Sequence, residues 1–406
     1  MKKIIFYTLI FLVILLLASA TFLSLVGYET SKFNNLIEKT LKEKEPNADI
    51  NISNIKIKLD LKNFNLFLRI NYPELNYQNV NIPISSIKLY FDLFSKFKSD
   101  FLLQRAIIKL DKFSIKEIKK LAVRIKPSNF KSYLLNNVSK GNIKKSDIDL
   151  VFFKDLKIKK YKIEGEVKKI SVKINNHLFL KNTNFNFFLD EDLLSINSFN
   201  GNYEDINIRD GFVNVDREKE MNISGSFKSS LDISTLRKYQ KLFNSFPENI
   251  ENIKLNASVS NKFDLKLSNT LKILDYNFFM NGSIADFRFN FKNKINSKFL
   301  ENYVDEIVTK TISLDVNLNA KKKNYLLLNG LYKTNNSEFK KFKIKNDLKK
   351  TNSNYDINFD LGEQINIEAL NFKTNPKKKG NIKSRFNIGS KKINLNQFIF
   401  EEDKNK

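Results

Sequence analysis

The chain is expected to be mainly β, with an N-terminal single transmembrane helix, a long antiparallel sheet and a few short helices. Three observations carry that expectation. From Asp49 almost to the end, apolar residues alternate with Lys, Asn, Asp and Ser at a period of two. Asn, Asp, Gly and Ser turns separate the alternating runs. Ahead of them stands one uncharged apolar stretch, Ile4 to Val26.

That stretch is long enough to cross the roughly 30 Å hydrocarbon core as one helix. Ile4, Phe11, Leu15, Leu16, Phe22 and Val26 are the side chains expected to meet lipid. Lys2 and Lys3 precede it, which places the N-terminus in the cytoplasm and the body across the membrane. A cleaved signal peptide is the competing reading, since Ala18-Ser19-Ala20 offers small residues. The apolar run continues past that site to Val26, longer than a cleavable core of about 7–15 residues, and favours an uncleaved anchor.

Beyond the anchor, Thr30 or Ser31 is placed to cap a short amphipathic helix bearing Phe33, Leu36, Ile37 and Leu41 on one face. The strand period then sets in at Ile50 and Ile52, slips at Asn54, and resumes through Ile55, Ile57, Leu59 and Leu61. Phe64 to Ile70 follows, then a turn region at Pro73 and Asn76, and a second slip between Ile84 and Ile87. Later runs include Ile148-Leu150-Phe152, Phe185-Phe187-Leu189 and Phe287-Phe289-Phe291. Roughly 20–25 strands fit the pattern, each with one apolar and one solvated face. Three helical interruptions are expected: a capping box at Ser114-x-x-Glu117 opening a segment that Asn129 to Val138 resumes, Thr235 to Phe243, and Lys298 to Thr309.

These landmarks divide the chain into an anchor (1–27), a short helix and linker (28–46), a first β segment (47–230), a helical interruption (231–250), a second β segment (251–400) and a charged tail (401–406). With 42% hydrophobic residues and 37 Phe in 406 residues there is ample material to bury. There is no Cys, so burial alone must hold an exported body. The net charge of +26 invites a nucleic-acid reading. Against it, the Lys are spread along the chain rather than gathered in one cluster, and Arg, the residue of bidentate phosphate and base recognition, is scarce. No nucleic-acid partner is expected; a solvated Lys surface, with some attraction to anionic headgroups, is.

Candidate chemistry is sparse. His177, the sole histidine, stands in a turn-like Asn175-Asn176-His177 stretch without identifiable partners. Asp190-Glu191-Asp192 lacks the spacing of an oxygen-ligand calcium loop. Asp147 and Asp149 alternate onto a solvated face, and no phosphate-cradling loop or nucleophile elbow occurs. No catalytic residue, metal or cofactor is expected.

An apolar face of this extent cannot stay in water, because contiguous patches on soluble monomers rarely exceed a few hundred Å². A sandwich or a trough that meets apolar guests would each cover it, and periodicity does not separate them. A bilayer-spanning barrel is disfavoured by the absence of Trp girdles and by the N-terminal helix.

The order of features resembles the AsmA-like family of bacterial envelope proteins, in its branch related to YhdP and TamB. The residues that carry the resemblance are the anchor, the run Asn51 to Leu59, Val80 to Ile84 leading into Ile87 to Leu93, Ala106 to Leu110, and Gly201-Asn202-Tyr203 through Gly211-Phe212-Val213 to Ile223-Ser224-Gly225. The likeness covers about the first 230 residues in order and the remainder only in β character. It implies a sheet curled into a taco-like groove, anchored in the inner membrane and projecting into the periplasm, that conducts phospholipid toward the outer membrane. Ile148, Leu150, Phe152, Phe185, Phe187, Leu189, Phe287, Phe289 and Phe291 are then the expected groove lining. Phospholipid and the inner membrane are the implied partners, with outer-membrane or periplasmic proteins beyond them. The family's larger members are far longer than this chain. The alternative is a non-enzymatic scaffold or assembly factor for outer-membrane proteins, built on a dry β-sandwich.

Overall fold

The computed structural model describes residues 2–403 apart from 63–64, 92–102, 125–128, 174–178, 218–219, 234–249, 269, 271, 296–302, 336, 349–352, 362–365, 368–370, 376–377 and 389–392. The described residues form four helices and 25 strands. Twenty-three strands belong to one antiparallel sheet, and two form a small hairpin. Two compact units result, Met1–Ser198 and Phe199–Lys406.

Helix α1 (Lys2–Leu25) is long and apolar enough to span a membrane, consistent with single-pass anchoring. None of its apolar window is buried in the protein, and Ile4, Phe11, Leu15, Leu16, Phe22 and Val26 are each more than half exposed. Its hydroxyls are satisfied within the helix: Thr8, Ser19 and Thr21 donate to the carbonyls of Ile4, Leu15 and Leu17 at 2.7–2.8 Å. That is what a hydrocarbon surround requires. Gly27, at φ +81°, ends the helix with its N–H on the Phe22 carbonyl. A Cβ here would meet Ile57 O at 2.9 Å, so glycine also permits the close approach of helix end and sheet.

The sheet starts at once. β1 (Tyr28–Thr30) is followed by α2 (Asn34–Lys44), β2 (Ala48–Asn51), β3 (Ile55–Asp60), β4 (Asn65–Asn71), β5 (Glu74–Tyr77) and β6 (Val80–Phe91). β7 (Leu103–Leu110) and β8 (Phe113–Ser114) lead into α3 (Ile115–Arg124) and α4 (Asn129–Asn137). β9 (Val138–Ser139), β10 (Asn142–Phe152), β11 (Ile158–Lys173) and β12 (Phe179–Leu189) complete the first unit, and β13 (Leu193–Tyr203) carries the chain onward. The ladder runs β1–β3–β4–β6–β7–β10–β11–β12, antiparallel throughout. Short strands β2 and β5 pair with each other, and β5 pairs with the start of β6.

Both slips in the alternation have structural counterparts. The slip at Asn54 is the break between β2 and β3; Asn34 donates there to the carbonyls of Ile52 (2.6 Å) and Ser53 (2.8 Å), tying α2 to the kink. The slip between Ile84 and Ile87 is a bulge in β6 that passes its partner from β5 to β4. Three expectations need correction. Neither Thr30 nor Ser31 caps α2 through its side chain: Thr30 lies in β1, and its hydroxyl accepts from the Lys32 N–H instead. Pro73 does stand in the break between β4 and β5, but Asn76 belongs to β5, and the hairpin turn that follows falls on Gln78 and Asn79, both at positive φ as a two-residue type I′ hairpin demands. The third correction concerns the second unit.

That unit is a meander: β14 (Ile206–Asp216), β15 (Met221–Ile233), β16 (Ile250–Leu267), β17 (Ile273–Ile295), β18 (Val304–Asn319), β19 (Asn324–Thr334), β20 (Lys340–Leu348) and β21 (Ser353–Asp360). After the separate hairpin of β22 (Asn366–Ile367) and β23 (Phe372–Lys373) come β24 (Gly380–Ile388) and β25 (Ile393–Glu402). Neighbours in this order pair antiparallel from β14 to β21, then β24 and β25. The helix expected over Lys298 to Thr309 is replaced from Val304 by β18. Ile307 and Thr309 sit opposite Phe289 and Phe287 of the 23-residue β17, and that long ladder partner together with the β-branched residues outweighs the helical stripe. The expected helix Thr235 to Phe243, most of the 231–250 interruption, and His177 lie outside the described residues.

Helices cover the apolar face of the first unit in two places. Ile37 of α2 packs on Ile52, Ile55 and Ile70, the latter two at most 1% exposed. Ile118 of α3 and Leu134 of α4 close over Val138, Val167 and Ile170. The capping box is formed: the Glu117 carboxylate accepts from Ser114 N–H at 3.1 Å and from the Ser114 hydroxyl, which in turn accepts from Glu117 N–H at 3.2 Å. Those bonds, the hydroxyl's first, hold the Glu117 carboxyl below its usual pKa. Ser114→Ala is expected to cost about 1 kcal/mol in thermal unfolding. Because the folded pKa is the lower one, this contribution is present above the ordinary carboxylate range and is lost as pH falls through the folded value; the Ser114→Ala deficit should therefore shrink in acid.

Candidate functional site

Cross-strand register joins the one-sided strands into apolar rows. In the first unit one row runs Ile55, Ile70, Ile87, Ile108, Ile148, Ile163, Leu189. Beside it, starting at the anchor, run Tyr28, Ile57, Leu68, Leu89, Ala106, Leu150 and Tyr161. In the second unit Ile206, Leu231, Ala257, Ile284 and Ile312 follow one another on β14 to β18. Ile312 touches the position of Gly330, from which Phe342, Phe359, Ile382 and Phe400 continue the row to β25. At about 4.8 Å per strand these rows measure roughly 30 Å and 43 Å. Each exceeds the roughly 15 Å that an acyl chain spans in one leaflet.

The rows are only partly covered. On β16, Leu255, Ala257, Val259, Phe263, Leu265 and Leu267 are half-buried while Asn256 and the Lys, Ser and Asp between them are exposed. Among the described side chains of that strand, Ile253 and Asn261 are the buried ones. In a sandwich, a second sheet about 10 Å away would bury the whole inward set. On β16 the apolar face remains reachable, whereas Ile312 and Val316 of β18 are buried.

The expected lining residues take three kinds of place. Ile148 and Leu189 flank Ile163 from either side, and Leu150 lies between Ala106 and Tyr161, all on the open part of the first unit's face. Phe152 lies opposite Ile158 beyond a bulge at the strand end. Phe185 and Phe187 pack against the cluster closed by α3 and α4. Phe187 lies flat over Gly165, where a Cβ would come within 2.7 Å of its ring. Phe287, Phe289 and Phe291 form a half-buried ladder of rings with centroids 5.3 Å apart. The row from Ile206 to Phe400 escapes single-strand reading, since its members are ordinary alternating residues until register lines them up.

The opposite face is polar and ion-paired. Arg105 forks onto Asp149 at 2.7 and 2.5 Å, and Lys109 pairs with Asp147 at 2.8 Å. A shallow, open depression of about 530 Å³ lies around Gly165, lined by Lys145, Asp147, Glu164 and Glu166 together with Phe187 and Phe188. The Lys168 ammonium there holds the Glu166 carboxyl below its usual pKa. Asp190, Glu191 and Asp192 form a turn: Asp190 accepts from the N–H groups of Asp192 and Leu193, and Glu191 from that of Tyr161. Among the described residues no three potential metal ligands are gathered.

No family model, no curated protein and no solved structure matches the chain.

Gly165→Ala is expected to lift the Phe187 ring off the sheet and strain the cluster under α3 and α4, lowering stability by about 1–3 kcal/mol in thermal melts. An unchanged melting midpoint would contradict the close approach.

Proposed function

We propose that the protein is a membrane-tethered, non-enzymatic carrier whose apolar sheet face binds the acyl chains of phospholipid and passes them along its rows. The observation that carries this reading is the half-buried apolar set of β16, which register continues into rows that are half-buried apart from the exposed Tyr28 and the buried Ile55, Ile70, Ala106, Ile312 and Ile382. An acyl chain of about 15 methylenes leaving water gains about 12 kcal/mol, enough to favour such a surface strongly over solvent. A second feature supports it: the row beginning at Tyr28 starts three residues beyond the last residue of α1, where a lipid leaving the bilayer would first meet the sheet. The AsmA-like resemblance supplies the setting, with an inner-membrane anchor, N-terminus inside, a periplasmic body and traffic between inner and outer membranes.

The test places a photoreactive phenylalanine analogue at Phe359, in the row, and at Lys343, on the other face, in the full membrane-embedded chain. Phospholipid-mass adducts are expected from Phe359 and not from Lys343. Ile284→Lys should cut the phospholipid co-purified with the chain several-fold while moving the thermal midpoint little, because Ile284 is only half-buried. Protein adducts without lipid adducts from Phe359 would favour the scaffold reading and defeat this one.

A further inference from the structure

A different surface, on the polar face beside the anchor, carries a second inference that stands whether or not the rows carry lipid. Lys56, Arg69 and Lys88 lie directly opposite one another on β3, β4 and β6, three cations in one cross-strand row. Like charges so placed destabilise a sheet. Compensation is slight: Lys56 has Glu29 at 3.8 Å, Arg69 donates to the neutral Asn71 side chain, and Lys88 lies 5.6 Å over the Phe67 ring. Among the described residues no carboxylate forms an ion pair with Arg69 or Lys88; Asp60, the one carboxylate that acts on Lys88, is the weakest of the charges around it. Burial first, then Arg69, Lys109 and Lys58, hold the Lys88 ammonium below its usual pKa.

The neighbouring row on the same face is Lys58, Phe67, Tyr90, Arg105. Phe67 and Tyr90 stack at 5.1 Å, with Arg105 over Tyr90. Aromatic rings among cations are the composition of a membrane interface. Lys58 also locates the bilayer. From this same face its ammonium donates to the Leu25 carbonyl at 2.9 Å, satisfying the C-terminal end of the anchor helix. The anchor therefore leaves the sheet on the cationic side, and the membrane in which it ends borders that face.

We infer that this face of β3, β4 and β6 docks against the bilayer surface, with Lys56, Arg69 and Lys88 binding anionic phospholipid headgroups and Phe67 and Tyr90 entering the headgroup layer. The anionic lipids supply the charge that the row lacks. Docking would fix the tilt of the first unit relative to the membrane.

The chain has no Trp, so Tyr90→Trp provides a single indole, excited at wavelengths that its tyrosines do not absorb. The full chain carrying it is reconstituted in vesicles of phosphatidylcholine, alone or with about 30% phosphatidylglycerol, doped with a brominated lipid that quenches near the headgroups. Stronger quenching is expected with the anionic lipid. It should fall at about 0.5 M sodium chloride, where screening shortens to roughly 4 Å. Arg69→Gln and Lys88→Gln should each lower the docked-to-undocked ratio about five-fold. The double variant should melt no lower than its parent, because like-charge repulsion is relieved. Equal quenching in both vesicle types overturns the inference, as does quenching that persists in a folded double variant. Displacement by inorganic phosphate beyond that by chloride of equal ionic strength would assign the row to free anions and also overturn it. Should the double variant not fold, the comparison of the two vesicle types decides alone.

Discussion

A strand with oily residues on one side only must find something to set against that side, and this constraint shapes the whole molecule. Over most of its length the chain repeats that demand strand after strand. In the first unit part of it is met from within: α2 sits on Ile55 and Ile70, and α3 with α4 sits on Val167 and Ile170. In the second unit the apolar set of β16 stays half-buried. The free energy of that uncovered surface is the basis of the lipid-carrying role proposed for it.

The second organising fact is the tight joint between anchor and sheet. A glycine end to the helix, a strand that starts one residue later, and Lys58 reaching back to the Leu25 carbonyl leave almost no linker. A long flexible linker would let the body sample many orientations. Here Lys58 of β3 bonds the helix end and Gly27 lies against the Ile57 carbonyl, so the first apolar row and the first cationic row both start beside the end of the anchor helix.

Much of the architecture is legible in the sequence, because period-two alternation and turn chemistry are local signals. The slips at Asn54 and between Ile84 and Ile87 each mark a real break or bulge, and Ser114-x-x-Glu117 marks a real capping box. What a single strand does not show is its partner. Lys56, Arg69 and Lys88 are unremarkable apart and become a charged row only through pairing. The row from Ile206 to Phe400 arises the same way, and Phe187 gains its flat pose from Gly165, 22 positions earlier in the chain. The segment from Val304 shows the converse: a local helical stripe yields to a long neighbouring strand. Thr30 fails as a cap for a similar reason, since β3 claims its backbone first.

The central claim is that the apolar face is open to hydrocarbon and closed to neither guest nor probe. The chain has no cysteine, so a single Val259→Cys places one nitroxide label on that face of β16, opposite Gly282. With the full chain in phospholipid vesicles, collision rates with molecular oxygen and with a water-soluble nickel chelate report what surrounds the label. Frequent oxygen collisions with rare nickel collisions are expected. Rare collisions with both would mean a second layer packed against the strand, frequent nickel collisions would mean water, and either would contradict the account.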